Sequence, residues 1–145
     1  MYARNVGLVK DAAYPYTSNV TSCKAKTLIS NSQQVYKISG FGQTNYFAVD
    51  EMKNTIKLRG PAIAYIAASN WNFIMYGSGV YNDKTCLEKH DIDHVVLIVG
   101  YGTDEVTNQK YWLVKNTWGT EWGEVAIHLF LYFIKLYLLS TNLFF

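Results

Sequence analysis

The spacing of apolar side chains changes several times along the chain, and each change marks a predicted element. Between Asn45 and Arg59, Val49, Met52 and Ile56 share one stripe at helical spacing, with Asp50, Lys53 and Lys57 off it, which predicts a short amphipathic helix. Gly60-Pro61 ends it, because proline cannot continue the hydrogen-bond ladder and pushes the residue before it out of the α region. The run AIAYIAA then reads as a strand, and QQVYKISGF, with Val35, Ile38 and Phe41, as another. The run GLVKDAAYPYTSNVTSCK, starting at Gly7, mixes Pro, Ser, Asn and aromatics without a period and reads as an ordered irregular segment.

Two β-rich runs, HVVLIVGYG and KYWLVKN, flank the polar stretch TDEVTNQ, the pattern of an antiparallel pair joined by a longer hairpin. His94 opens the first run and Asn116 closes the second. Antiparallel pairing sets the start of one strand beside the end of the other, so the two residues are expected to be neighbours in space. After Glu124 the pattern is lost: residues 125–145 are dominated by Leu, Phe, Ile and Tyr, with polar side chains at no period of two. A membrane span needs about 20 apolar residues. Lys135, near the centre of the run, disfavours insertion by about 2.5 to 3.5 kcal/mol, so the segment is expected to be an exposed apolar tail, with a membrane anchor as the rival.

Composition narrows the classes. With 145 residues, half of them hydrophobic, the chain can build one compact domain with a core. Thirteen basic and 11 acidic residues, without a block of one sign, point to no nucleic-acid partner. Twelve Tyr and 4 Trp favour a β-rich fold. Cys23 and Cys86, the only cysteines, stand in neither CxxC nor zinc-ligand spacing, so no metal or cofactor is expected, and by spacing alone they are one disulfide or two separate thiols. No apolar signal run follows Met1. Asn19-Val20-Thr21 fits the N-glycosylation pattern.

A histidine at a strand start or an asparagine at a strand end is ordinarily structural, and Trp-Gly pairs suit tight turns. Their frame changes the reading. DHVVLIVGYG and YWLVKNTWGTEWGE resemble the histidine and asparagine motifs of the papain-like (C1 family) cysteine peptidases, while AYPYTSNVTSC, GPAIAYIAA and FIMYGSGVYNDKTC resemble the segments before them. The likeness runs from about Gly7 to Glu124, giving a peptidase-type segment 1–124 and a divergent tail 125–145.

The resemblance implies an α+β fold: the β-barrel-like right half of the papain architecture, an antiparallel sheet with a short helix, facing an N-terminal helical half outside this chain. It implies that His94 is general base and acid, that Asn116 orients its imidazole, and that Trp118 shields the pair, with Tyr65, Ile92, Asp93 and Val95 bordering the substrate cleft. His90 and His128 have no such frame. Such a site hydrolyses peptide or protein substrates through a thioester, in lysosomal or secreted enzymes. The family's nucleophile, in a C-G-S/A-C-W/Y run roughly 130 residues or more before the histidine, is not in this chain. The resemblance also implies that Cys23 and Cys86 are disulfide cysteines without their partners here, and that the tail replaces the family's closing strands. The chain alone is therefore expected to be inactive, the rivals being a non-catalytic peptidase-like binding module and a membrane-anchored fragment.

Overall fold

A backbone amide inside a protein needs a partner, and the apolar runs of this chain find theirs in one sheet. The computed structural model describes residues 2–31, 34–45, 48–83, 92–124, 127–131 and 137–140. The chain divides into two compact units, residues 1–41 with 142–145, and residues 42–141.

The first unit holds helix α1 (Tyr2–Asn5), a 3₁₀ turn (Asp11–Ala13) and helix α2 (Ala25–Asn31). The strand expected in QQVYKISGF reduces to one antiparallel bridge, Leu8 to Tyr36, with amide bonds of 2.7 and 2.8 Å. Strand-forming residues make a strand only where a second edge accepts their ladder, and the segment around Leu8 offers a single rung.

The second unit contains β1 (Gly42–Gln43), helix α3 (Val49–Arg59), β2 (Ala62–Ile66), helix α4 (Trp71–Ile74), β3 (Val80–Tyr81), β4 (His94–Thr103), β5 (Lys110–Lys115), β6 (Ile127–Leu131) and β7 (Tyr137–Ser140). The strands lie in the order β1-β7-β2-β4-β5-β6-β3, and every pair is antiparallel except β3 with β6. Helix α3 starts at Val49, not Asn45; the backbone and side-chain nitrogens of Asn45 instead donate to Glu51 Oε2. It ends where the Gly60 amide donates to the Ile56 carbonyl, just before Pro61. Its Met52 and Ile56 join Ala62, Ala64 and Ile66 of β2, Val96 and Ile98 of β4, and Trp112 and Val114 of β5 in one core. Along these strands the core residues recur at every second position, as a sheet with one face covered requires.

Register between β4 and β5 changes once. Leu97 pairs with Lys115 and Ile98 with Val114, but Gly100 pairs with Leu113, which leaves Val99 as an extra residue on β4. Farther along, Gly102 faces Tyr111, whose ring occupies the space a Cβ on residue 102 would need. The TDEVTNQ loop is closed by Asp104, whose Oδ1 accepts from the Thr107 amide and hydroxyl, both at 2.7 Å.

Two described parts of the apolar tail pair with the sheet. Residues 127–131 pair with β5 from Tyr111 to Lys115, and 137–140 pair with both β2 and β1. An unbroken apolar run has no period, so strand, helix and membrane span read alike in it; the backbone pairing is what distinguishes them. Among the described residues no helix is long and apolar enough to cross a membrane. Cys86, His90 and Lys135 lie outside the described residues.

Because β7 bridges β1 and β2, cutting the chain after Glu124 is expected to remove cooperative thermal unfolding and lower soluble yield, measured by circular dichroism and fractionation. A truncated chain that melts as sharply as the full one would place the tail outside the folded unit.

Candidate active site

Two strand ends build the site. His94 is the first residue of β4, and alternation sets it on the same sheet face as the buried Val96 and Ile98. Asn116 follows the last residue of β5 and continues the face of Trp112 and Val114; it is 3% exposed. Extending the Leu97 to Lys115 register by one place sets Asn116 opposite Val96, so His94 is its diagonal neighbour. The expected proximity is found: His94 Nε2 lies 2.8 Å from Asn116 Oδ1.

A second contact settles which way the amide points. The Thr117 backbone N–H donates to the same Oδ1 at 2.7 Å. A backbone amide can only donate, so the atom it meets is the carbonyl oxygen, and Nε2 of His94 must then be the ring nitrogen that carries a hydrogen. In the neutral imidazole this leaves the lone pair on Nδ1, which has no hydrogen-bond partner among the described residues. Asn116 Nδ2 is buried without a partner among the described residues, an arrangement that costs about 1 to 3 kcal/mol.

Asp93 ties this corner to the end of β2. Its carboxylate accepts from the Ala68 amide at 2.7 Å and the Ser69 amide at 3.1 Å, while its own amide donates to the Ile66 carbonyl. The Ala68 N–H above all, with Ser69 assisting against desolvation, holds the Asp93 carboxyl below the usual range for aspartate. Ala68, Ser69, Ile74, Asp93, His94 and Trp118 line an open cleft of about 260 Å³.

Aromatic rings form the wall beside it. The Trp118 ring lies 5.2 Å from the His94 ring at a 35° tilt and meets Trp122 edge-on at 4.5 Å. Phe73 of α4, almost fully buried, packs edge-on against both tryptophans. Gly119 and Gly123, which follow the two tryptophans, have φ of +90° and +61°, a backbone that a side chain strongly disfavours. The Trp122 indole donates to the Ile74 carbonyl at 2.7 Å, and Glu124 Oε1 accepts from the Gly79 amide at 2.6 Å.

Of the residues singled out in the sequence, His94, Asn116, Trp118 and Asp93 come together. Tyr65 pairs with Val95 across β2 and β4, on the sheet face opposite His94, and Ile92 directly precedes Asp93. Cys23 is exposed and lines a separate cavity of about 330 Å³ with Tyr2, Leu8 and Leu28. Sequence reasoning missed Ala68 and Ser69, whose contribution is backbone N–H, and Phe73, Ile74 and Glu124. Phe73 and Ile74 lie in the FIMYGSGVYNDKTC run, Ala68 ends GPAIAYIAA and Glu124 closes the WGE run, so their segments carried a signal though their roles did not. Among the described residues no three His, Cys, Asp or Glu side chains are grouped to hold a metal.

Comparison with known proteins points the same way. A family model described as papain family cysteine protease matches residues 1–131, beyond the limit near Glu124 read from the motifs. Cathepsin L of Sarcophaga peregrina is 38% identical over 120 residues, covering 83% of this chain and 34% of that protein. A cathepsin L-like proteinase of Fasciola hepatica is 37% identical over 123 residues, 85% of this chain and 35% of the relative. The chain thus spans about a third of the length of these relatives. Among solved structures, digestive procathepsin L2 from Tenebrio molitor matches with a TM-score of 0.79 and 28% identity over 98% of this chain and 45% of its own. Bromelain from Ananas comosus, in complex with the inhibitor E64, matches at 0.78 and 28%, over 97% and 65%. The fold is the β-rich half of the papain-like architecture.

The Asp93 contacts carry a pH signature. Its folded pKa is depressed below the ordinary 3.8, so the stability it contributes is fully present above that value and is lost as pH falls through the folded pKa. Asp93→Asn is expected to lower the urea midpoint slightly at pH 7, with the gap to the native chain closing below pH 3.8. A gap unchanged from pH 7 to pH 3 would show that the carboxylate charge is not what holds Ala68 and Ser69.

Proposed function

The chain belongs to the papain family of cysteine proteases, and from that premise we propose that it carries the imidazole side of a thiol peptidase site, completed by a nucleophilic cysteine from a segment outside these 145 residues. The observation that supports this most is the His94 Nε2–Asn116 Oδ1 bond, which leaves Nδ1 of a cleft-lining histidine unpartnered among the described residues. A thiol placed there gives its proton to Nδ1, and the neighbouring imidazolium lowers the thiol pKa to roughly 3 to 4 in such pairs. The thiolate then attacks the carbonyl carbon of a peptide substrate. His94 returns the proton to the leaving amine, and the acyl group remains on sulfur as a thioester. Water, deprotonated at Nδ1, attacks the thioester carbon and releases the carboxylate product, and the proton passes back to the thiolate.

Asn116 keeps a hydrogen on Nε2 in the neutral and the protonated ring alike, and Trp118 limits water at that bond. Trp118 is 38% exposed, so its ring is a cover at the surface and not a core side chain. Asp93 lines the cleft, and in this proposal Tyr65, Ile92 and Val95 border the wider substrate cleft that the helical half completes. Neither Cys23, in TSCKA, nor Cys86, in KTCLE, has the flanking glycine and aromatic of a nucleophile's helix start. The chain alone is accordingly inactive, its partners are a helical half bearing the cysteine and a peptide or protein substrate, and its compartment is the lysosome or the secretory route.

The test has two arms. The 145-residue chain is expected to show no peptidase turnover and no labelling by a thiol-directed epoxide; specific labelling of Cys23 or Cys86 would overturn the assignment of the nucleophile. Extended at its N-terminus by a papain-family helical half with a CGSCW-type run, it is expected to cleave peptide substrates, with kcat/KM falling about 10² to 10⁴-fold in His94→Ala. An extended chain that binds peptides without cleaving them would favour a peptidase-like binding module.

A further inference from the structure

The segment between the 3₁₀ turn and α2 takes no part in the site. Residues 14–24 form neither helix nor strand, and every one of them is exposed. It contains Asn19-Val20-Thr21, the only Asn-X-Ser/Thr triplet with a non-proline centre in the sequence. The chain bends at Ser18 and Asn19, with Ser18 at φ +57°, and Val20 is 105% exposed, as open as in a free peptide. Among the described residues neither Asn19 nor Thr21 makes a hydrogen bond, so the carboxamide and the hydroxyl are both free to be read. Tyr16, 89% exposed, and Val20 leave apolar surface on this loop that no described residue covers.

From these features we propose that Asn19 is an N-glycosylation site. The donor class is an oligosaccharide linked through pyrophosphate to a lipid. The Asn19 carboxamide nitrogen attacks the anomeric carbon of the first sugar, the bond from that carbon to the pyrophosphate oxygen breaks, and the pyrophosphate leaves with the electron pair. The amide nitrogen gives up one proton to a transferase base, and a C–N glycosidic bond remains. An exposed, unpaired segment lets the triplet enter a transferase site without breaking a ladder or emptying a core. The attached sugar is bulky and solubilising and would shield Tyr16 and Val20. The inference rests on the secretory or lysosomal placement proposed above.

The full 145-residue chain, preceded by a cleavable secretory signal and carrying a known acceptor triplet on a C-terminal tag, is translated with microsomes. Supplying the signal separates acceptance at Asn19 from the question of native location, which a tagged native gene in its own cells answers. Two added glycans are expected, both removed by peptide N-glycosidase, with one lost in Asn19→Gln, Thr21→Ala and Val20→Pro and both kept in Thr21→Ser. Glycosylation of the tag alone in the native chain, or two glycans surviving Asn19→Gln, would overturn the proposal.

Discussion

The site depends on one antiparallel ladder, that between β4 and β5. It joins runs that a long polar loop separates in sequence and sets the first residue of one beside the residue that closes the other. Side chains alternate across a strand, so a slip of one residue would turn either His94 or Asn116 to the wrong face. Register is held on both sides of the Val99 bulge: Ile98 and Val114 meet in the core, and the Tyr111 ring fills the space over Gly102. The 2.8 Å contact between imidazole and amide is therefore a consequence of sheet register.

Around that ladder, polar groups serve orientation at some expense in stability. Asn116 accepts twice through one oxygen, which fixes both its own rotamer and the imidazole tautomer, and its buried nitrogen has no partner among the described residues. The aromatic wall offsets this by packing: Phe73 anchors Trp118 and Trp122 from beneath, and the turns that present the two rings use the positive φ of Gly119 and Gly123. Two long-range bonds, from the Trp122 indole to Ile74 and from Gly79 to Glu124, tie the loop to α4 and the segment after it. Asp93 does the same for the residues after β2. The cleft is thus walled by segments that meet only because the sheet brings their ends to one edge.

The tail belongs to the same logic. β6 continues the sheet beyond β5, and β7 fills the place between β1 and β2, where an unpaired edge would otherwise expose backbone donors and acceptors. The match of the family model to residue 131 agrees with a sheet that continues past the Trp-Gly loop.

Helix α3, its stop at Gly60, strand β2 and the β4–β5 hairpin were legible in the sequence, because each depends on a local period or on proline chemistry that acts within a few residues. The neighbourhood of His94 and Asn116 was legible too, since antiparallel pairing follows from two β runs and one loop. Tertiary structure alone decided the rest. QQVYKISGF has strand-forming side chains but makes one rung among the described residues, while 127–131 and 137–140 show no period yet pair with four strands, β5 and β3 for the first and β1 and β2 for the second. Ala68 and Ser69 act through backbone N–H groups that every residue but proline has, so no side chain announces them. The resemblance sets Tyr65, Ile92 and Val95 at the cleft, and it is the register of β2 with β4 that pairs Tyr65 with Val95. Local periodicity specifies elements; which edge each one meets depends on contacts between residues far apart in the chain, and these leave no mark on either segment alone.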